Sequence, residues 1–246
     1  MPNYAVILPA AGRSRRFKDP HYKKPFAPLD HRAVWLHSAE KFINRDDVKH
    51  LIIVISPEDQ ESFHMKFGAN VAILGIDVVL GGAERTDSVA NALEHVRPDV
   101  DFVVVHDAAR PCLATEWIDK TFAAAEKSGA AILAIPVAGT LKRVGKDRTI
   151  QDTVSRTDMW EAQTPQVFRR DWLIEAYQRR GDKPATDDAE LVQRLGHAVT
   201  VVTGSRINMK ITTKEDLRLA AQALKTLPKP KLNGPAHPFA DDDHWR

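Results

Sequence analysis

Short runs of valine, isoleucine and leucine, set apart by longer amphipathic stretches, constrain this chain more than any other feature. Residues 51–55 read LIIVI, 102–106 read FVVVH and 131–136 read AILAIP. These runs are apolar at nearly every position rather than at alternate ones, so the strands they form need cover on both faces, as in a parallel sheet. Further strands are expected at 4–8, 71–80 and 199–203. Between them, helical patterns are expected over 33–44, 57–67, 85–95, 115–128, 170–179, 187–194 and 213–224. Alternation of this kind implies right-handed βαβ crossovers and a mostly parallel sheet with helices on both faces. A length of 246 residues fits one such α/β domain with a full core.

Two segments break the alternation. Between Gly139 and Arg156, the pieces TLKRV and TIQDTV flank a turn-rich GKDR. That pattern reads as a β-hairpin, an arm at about 139–156 that leaves the sheet. A hairpin standing alone buries little, which points to a second copy of the chain as its support and so to a homodimer. From Pro228 the chain reads PKPKLNGPAHPFADDDHWR, too rich in proline and aspartate to pack. The expected organisation is a domain over 1–227 and a disordered C-terminal tail over 228–246.

The formal charge is only +2, so no nucleic-acid or membrane surface is expected, and any basic site has to be local. Cys112 is the single cysteine, which fits a reducing compartment. With no apolar run at the start long enough for a signal peptide or a spanning helix, a cytoplasmic protein is expected. The ten histidines have no metal-like spacing.

The local basic site is at the start. Strand 4–8 runs into Pro9, the small residues Ala10, Ala11 and Gly12, and then Arg13, Arg15 and Arg16. In an open parallel sheet, ligands bind beyond the carboxyl ends of the strands. Small residues let backbone N–H groups approach an anion, and the arginines add full charge. The loop lacks the second and third glycines of a dinucleotide fingerprint, and it lacks the Gly-Lys-Ser/Thr end of a P-loop. It reads either as a polyphosphate site or as a plain turn into a solvated basic segment. Cations at a helix start oppose the dipole, which favours the first reading. Lys24, just before Pro25, is expected to be held extended and therefore fixed in place.

Four further stretches turn this into a pattern: GGAERTDSV at 81–89, HDAARP at 106–111, TLK at 140–142 and GSRINMKIT at 204–212. With the opening PAAGxxxR, in this order and spacing, the chain resembles the 2-C-methyl-D-erythritol 4-phosphate cytidylyltransferase family over about residues 6–224. The resemblance implies a Rossmann-like nucleotidyltransferase domain that joins CTP to a polyol phosphate, with Mg²⁺ as cofactor, in the non-mevalonate isoprenoid route. It further implies that Ala10, Ala11 and Gly12 cradle the triphosphate and that Arg16 and Lys24 stabilise the transition state. Gly82 and Ser88 would hold the cytosine and ribose end. Asp107 would sit beside the metal and bind nucleotide. Arg110 and Thr140 would line the acceptor pocket. Arg156 would reach the acceptor from a partner subunit, and Lys210 would orient the acceptor phosphate.

The chemistry agrees with such a set. The acceptor phosphate is already an anionic nucleophile, so positioning and cations suffice and no general base is needed. Some residues keep two readings: Asp107 also as the cap of a following helix, and the TDDAE stretch at 186–190 equally as a capping box, with Asp187 at the cap and Glu190 three on, or as an acidic stretch that the resemblance places near the acceptor. The chain also departs from the family's usual residues at Ser14, where glycine is frequent and whose loss would tighten the loop less, and at Ala83, Gly139 and Ser155, where acidic residues are frequent. The rival functions are a ribitol-5-phosphate or other sugar-phosphate cytidylyltransferase and a nucleotide-binding regulator without catalysis. HDAARP with GSRINMKIT leans away from the first. The joint presence of Arg16, Lys24 and Lys210 speaks against the second.

Overall fold

The computed structural model describes residues 1–228 apart from Arg15 and Pro20, so the tail expected over 228–246 lies almost wholly outside the described residues. The chain runs β1 (Tyr4–Pro9), a one-turn 3-10 helix (Lys24–Phe26), β2 (Pro28–Leu29), β3 (Arg32–Ala33), α1 (Val34–Ile43), β4 (Val48–Ile55), α2 (Gln60–Leu74), β5 (Asp77–Leu80) and α3 (Arg85–Leu93). There follow β6 (Phe102–Val105), α4 (Thr115–Ser128), β7 (Ala130–Pro136), β8 (Leu141–Val144), β9 (Ile150–Val154) and β10 (Trp160–Arg169). The remainder is α5 (Arg170–Gln178), α6 (Asp188–Arg194), β11 (Thr200–Thr203) and α7 (Lys214–Ala223).

Seven strands form the main sheet in the order β11-β7-β10-β6-β1-β4-β5. All neighbours pair in parallel except β10, which is antiparallel to both β6 and β7. The continuous apolar runs are explained by two-sided burial. Along β1, Tyr4, Val6 and Leu8 join a core with Trp35 and Phe42 of α1, Phe63 of α2 and Phe122 of α4. Ala5 and Ile7 point the other way, into a core with Val89 of α3, Leu173 of α5 and Val192 of α6. A third cluster, Phe17, Leu29, Val34, Cys112 and Ile211, seats α7 through Ala220. Cys112 is fully buried and burial pushes its thiol up to about 11, so it packs rather than reacts.

One expectation needs correction, and two elements had no forerunner in the sequence. Residues 71–74 are not strand: α2 continues through them, because buried Phe63 and half-buried Phe67, Val71 and Leu74 lie at helical spacing on one stripe packed against the core. Gly75, at φ 60°, ends the helix. The antiparallel β10 was not expected, since Pro165 interrupts its sequence; the ladder to β7 is irregular between Ala162 and Gln166, which accommodates the proline. The small β2–β3 ladder was likewise unforeseen.

The hairpin is present. β8 and β9 pair with each other in a separate two-stranded sheet, and nearly all their residues are exposed or half-buried. Among the described residues, no helix is long and apolar enough to cross a membrane.

Candidate active site

Strand order reverses around β1: β4 and β5 lie on one side and β6 on the other. Beyond the carboxyl ends at this switch point opens a cleft of about 670 Å³. Its floor is the turn after β1. Ala10 is buried and its N–H donates to Val54 O at 2.7 Å, which pins the turn to β4. Ala11 and Gly12 follow and line the cleft. The opposite wall is the 81–88 loop. A Cβ on Gly81 would come within 2.6 Å of Ser88 Oγ and 2.7 Å of Ala11 Cβ, so only glycine lets the two loops approach this closely. The Gly82 N–H donates to Ser88 Oγ at 3.2 Å, and the Ser88 hydroxyl donates to Glu84 O at 3.1 Å. Ser88 lines the cleft, but its hydroxyl is engaged in holding the loop's shape.

Asp107 sits at the base of the cleft, just past β6. Lys210 Nζ lies 2.8 Å from its Oδ2, Arg110 Nε 3.3 Å from Oδ2 and Arg85 Nε 3.8 Å from Oδ1. Burial alone would raise this carboxyl; Lys210, Arg85 and Arg110 together hold it far below the usual carboxylate range. No helix begins here, since α4 starts at Thr115 after Ala114, so Asp107 is not a helix cap. Behind it, the Asp107 N–H donates to Thr164 Oγ1, whose hydroxyl meets His106 Nδ1 at 3.1 Å. The other nitrogen of His106 faces Arg110 O at 3.1 Å. A carbonyl can only accept, so Nε2 carries the proton, and burial pushes the imidazole down to about 4. Both nitrogens are spent, and His106 is a neutral strut.

Lys24 lines the cleft, half-buried, within reach of the charge of Asp107. It is not extended as expected: Lys23 is the extended residue, and Lys24 begins the 3-10 turn. What fixes it is its N–H, which donates to Ser14 Oγ at 3.1 Å. Ser14 has φ 50°, the left-handed region that favours glycine, so this position explains why a glycine suits it. Here the serine also ties the loop to Lys24 and so tightens it, contrary to the expectation of a looser loop. Lys24 is shifted down, first by burial and then by Lys210 and Arg16.

The remaining site residues divide. Arg16 is exposed and outside the cleft lining, near enough only to act on Lys24 through space. Arg110 does not line this cleft: it is 7% exposed, bound to Asp107 and, through Nη1, to Asn208 O at 2.8 Å. Thr140 is exposed at the foot of the hairpin. Arg156 is exposed and borders a separate shallow cavity with Thr203, Gly204, Ser205 and Arg206. Neither Thr140 nor Arg156 reaches the cleft of its own chain. Two cations that were not singled out as site residues, Arg13 and Arg85, do line it. In the TDDAE stretch Asp187 caps α6, accepting the Glu190 N–H, while the Glu190 carboxylate takes the Thr186 N–H and hydroxyl.

Among the described residues, no three His, Cys, Asp or Glu side chains gather as a metal cage. The cleft's carboxylates are Asp107, Glu58 and Glu84, and only Asp107 stands amid the cations. This donor set suits a hard cation carried in by phosphate oxygens and met by one carboxylate.

Comparison with known proteins agrees with the geometry. The family model described as 2-C-methyl-D-erythritol 4-phosphate cytidylyltransferase matches residues 4–226. A protein of that description from Rhodopirellula baltica is 42% identical over 231 residues, 89% of this chain and 94% of the relative. One from Alkaliphilus oremlandii is 36% identical over 229 residues, 90% of this chain and 95% of the relative. The crystal structure of the Thermus thermophilus protein of the same description superposes with a TM-score of 0.75 at 31% identity, covering 92% of this chain and 100% of that one.

Proposed function

The chain belongs to the 2-C-methyl-D-erythritol 4-phosphate cytidylyltransferase family, and from that premise we propose how its cleft works. The enzyme transfers CMP from CTP to 2-C-methyl-D-erythritol 4-phosphate in the non-mevalonate isoprenoid route. The triphosphate lies on the backbone of Ala10, Ala11 and Gly12, with the base and ribose toward Gly82 and Ser88. An oxygen of the acceptor phosphate attacks the α-phosphorus in line. The bond from that phosphorus to the bridging oxygen breaks, and pyrophosphate leaves. Lys24 faces the α-phosphoryl oxygens, where charge builds, and Arg16 swings in from the exposed loop to assist. Lys210 orients the acceptor phosphate, held ready by Asp107. Arg110 acts indirectly, by fixing Asp107 and the 208 turn.

No proton has to be removed from the nucleophile, which agrees with His106 being neutral and fully engaged. Asp107 would hold Mg²⁺ together with the phosphates; bound there, the ion neutralises charge on the triphosphate. The hairpin carries Thr140 and leads to Arg156, and Val144, Ile150, Met159 and Trp160 on and beside it are exposed apolar side chains. A second subunit covers them in a homodimer and receives Thr140 and Arg156 at its cleft. A buried thiol and a nearly balanced charge suit a cytoplasmic enzyme.

The observation that carries this reading is the convergence of Lys24 and Lys210 on the Ala10–Gly12 turn around Asp107 in one cleft. Pyrophosphate release is to be followed with CTP, Mg²⁺ and either 2-C-methyl-D-erythritol 4-phosphate or ribitol 5-phosphate. Release with the first and far less with the second is expected. A preference for ribitol 5-phosphate, or no release with either, overturns the assignment.

A further inference from the structure

Arg85 has no part in the steps above, yet it stands where three elements meet. It opens α3 and lines the cleft from the nucleotide-loop side. Its Nη2 donates to Asp188 Oδ2 at 2.7 Å, and its Nε faces Asp107 Oδ1 at 3.8 Å. Asp188 is fully buried at the first position of α6, and its second oxygen accepts from the Tyr177 hydroxyl of α5. A cation in the first turn of a helix opposes the dipole, so this placement is unfavourable unless anions face it. Two do. A second ion pair, Arg180 to Asp87 at 2.8 Å, ties the same turn of α3 to the segment just past α5.

The sharing of Asp107 is the informative part. Lys210 and Arg110 make their nearest approach to Oδ2, whereas Arg85 makes its nearest approach to Oδ1. We propose that Arg85 is a positioning residue: its guanidinium fork bridges the carboxylates of Asp107 and Asp188, so that the cleft carboxylate, the 81–88 loop and the start of α6 are held as one unit. Without it, Asp107 loses its partner on the Oδ1 side and is held by Arg110 and Lys210 alone, so Lys210 is drawn onto the carboxylate more tightly at the expense of the acceptor phosphate. Lysine cannot replace it in full, because a point charge serves one carboxylate and a planar fork serves two. This inference rests on the reaction proposed above.

The test uses the full chain with R85K, R85Q and the double variant R85Q/D188N, measuring Tm, kcat and the KM for CTP. R85Q leaves Asp188 buried and unpaired and lowers Tm; the double variant removes that charge and regains Tm. If Arg85 served only Asp188, kcat would return with Tm. The expected result is that kcat in the double variant stays roughly tenfold or more below wild type, as is usual for a partner one step behind a site, with a smaller change in KM. R85K keeps Asp188 paired and is expected to fold normally and still lose kcat, so it decides the matter should R85Q fail to fold. Wild-type kcat in R85K or in the double variant overturns the inference. Failure of the wild-type protein itself to release pyrophosphate would instead overturn the proposed reaction.

Discussion

Lys24 holds a proton that its surroundings make easier to lose. Burial lowers it first, and the neighbouring charges of Lys210 and Arg16 add to this, against a smaller opposing pull from Asp107 and Asp216. Only the protonated form can stabilise charge on the α-phosphate, and a depressed value means that form disappears earlier as pH rises. The alkaline limb of kcat/KM for CTP, which reports the free enzyme, should therefore lie below the ordinary lysine range. Lys24→Arg should remove the limb, since a guanidinium stays charged; a limb that survives would belong to another group. Lys24→Ala should cost about 10²–10³ in kcat with much less change in CTP affinity. At this scale the sequence exposed the type and order of three residues that the cleft gathers, because Lys24, Asp107 and Lys210 sit in recognisable stretches. It did not expose direction. Arg110 lies in the HDAARP stretch, but its side chain turns inward to Asp107 and Asn208. Arg85 gave no signal, since its meaning depends on Asp188, which is 103 residues away.

At the scale of elements, hydrophobic pattern identified the strands that are buried on both faces and failed where another signal competed. The run at 71–80 looked continuous only because the last turn of α2 and the Val78–Leu80 part of β5 are both apolar. β10 was hidden by Pro165, whose effect on the ladder is local. The hairpin was legible because its sequence alternates around a turn and lies outside the sheet. Replacing residues 141–154 with a short turn should leave the seven-stranded sheet intact by circular dichroism, because among the described residues β8 and β9 pair only with each other. The same change should convert the proposed dimer to a monomer on sedimentation and abolish turnover; a dimer that persists would remove the arm from the interface. The end of β6 makes a second testable element. Buried His106 titrates at about 4 in the folded chain against 6.5 unfolded. Above 6.5 it is neutral in both states and costs nothing. As pH falls from 6.5 to about 4, the unfolded chain takes a proton that the folded chain refuses, and about 3 kcal/mol of stability is lost in that window. Chemical denaturation of His106→Asn across this range should show a shallower fall than wild type; an equally steep fall would assign the slope to other groups.

For the whole molecule, the arithmetic of charge is the constraint. Two anionic reactants have to meet on a chain whose formal charge is only +2, so the cations have to be gathered rather than numerous. The switch point of the sheet brings Arg13, Lys24, Arg85 and Lys210 to one cleft, but it leaves Thr140 and Arg156 outside. If these two complete the neighbouring subunit's cleft, each site is built from two chains, and defects on different chains should combine in a defined way. Lys24→Ala spoils the cleft of its own subunit, while Arg156→Ala spoils the cleft of the partner. Each homodimer is then defective at both sites. In a heterodimer of the two variants, one site collects both lesions and the other collects neither. Isolated from co-expressed, differently tagged chains, that heterodimer should recover about half of the wild-type turnover, as the symmetry of a two-site dimer requires. If Arg156 instead served its own subunit, every site in the heterodimer would carry one lesion, and turnover would stay at the level of the single variants. Sedimentation of the purified heterodimer before the assay confirms that both chains are present, so the absence of recovery would count against an active site shared between subunits.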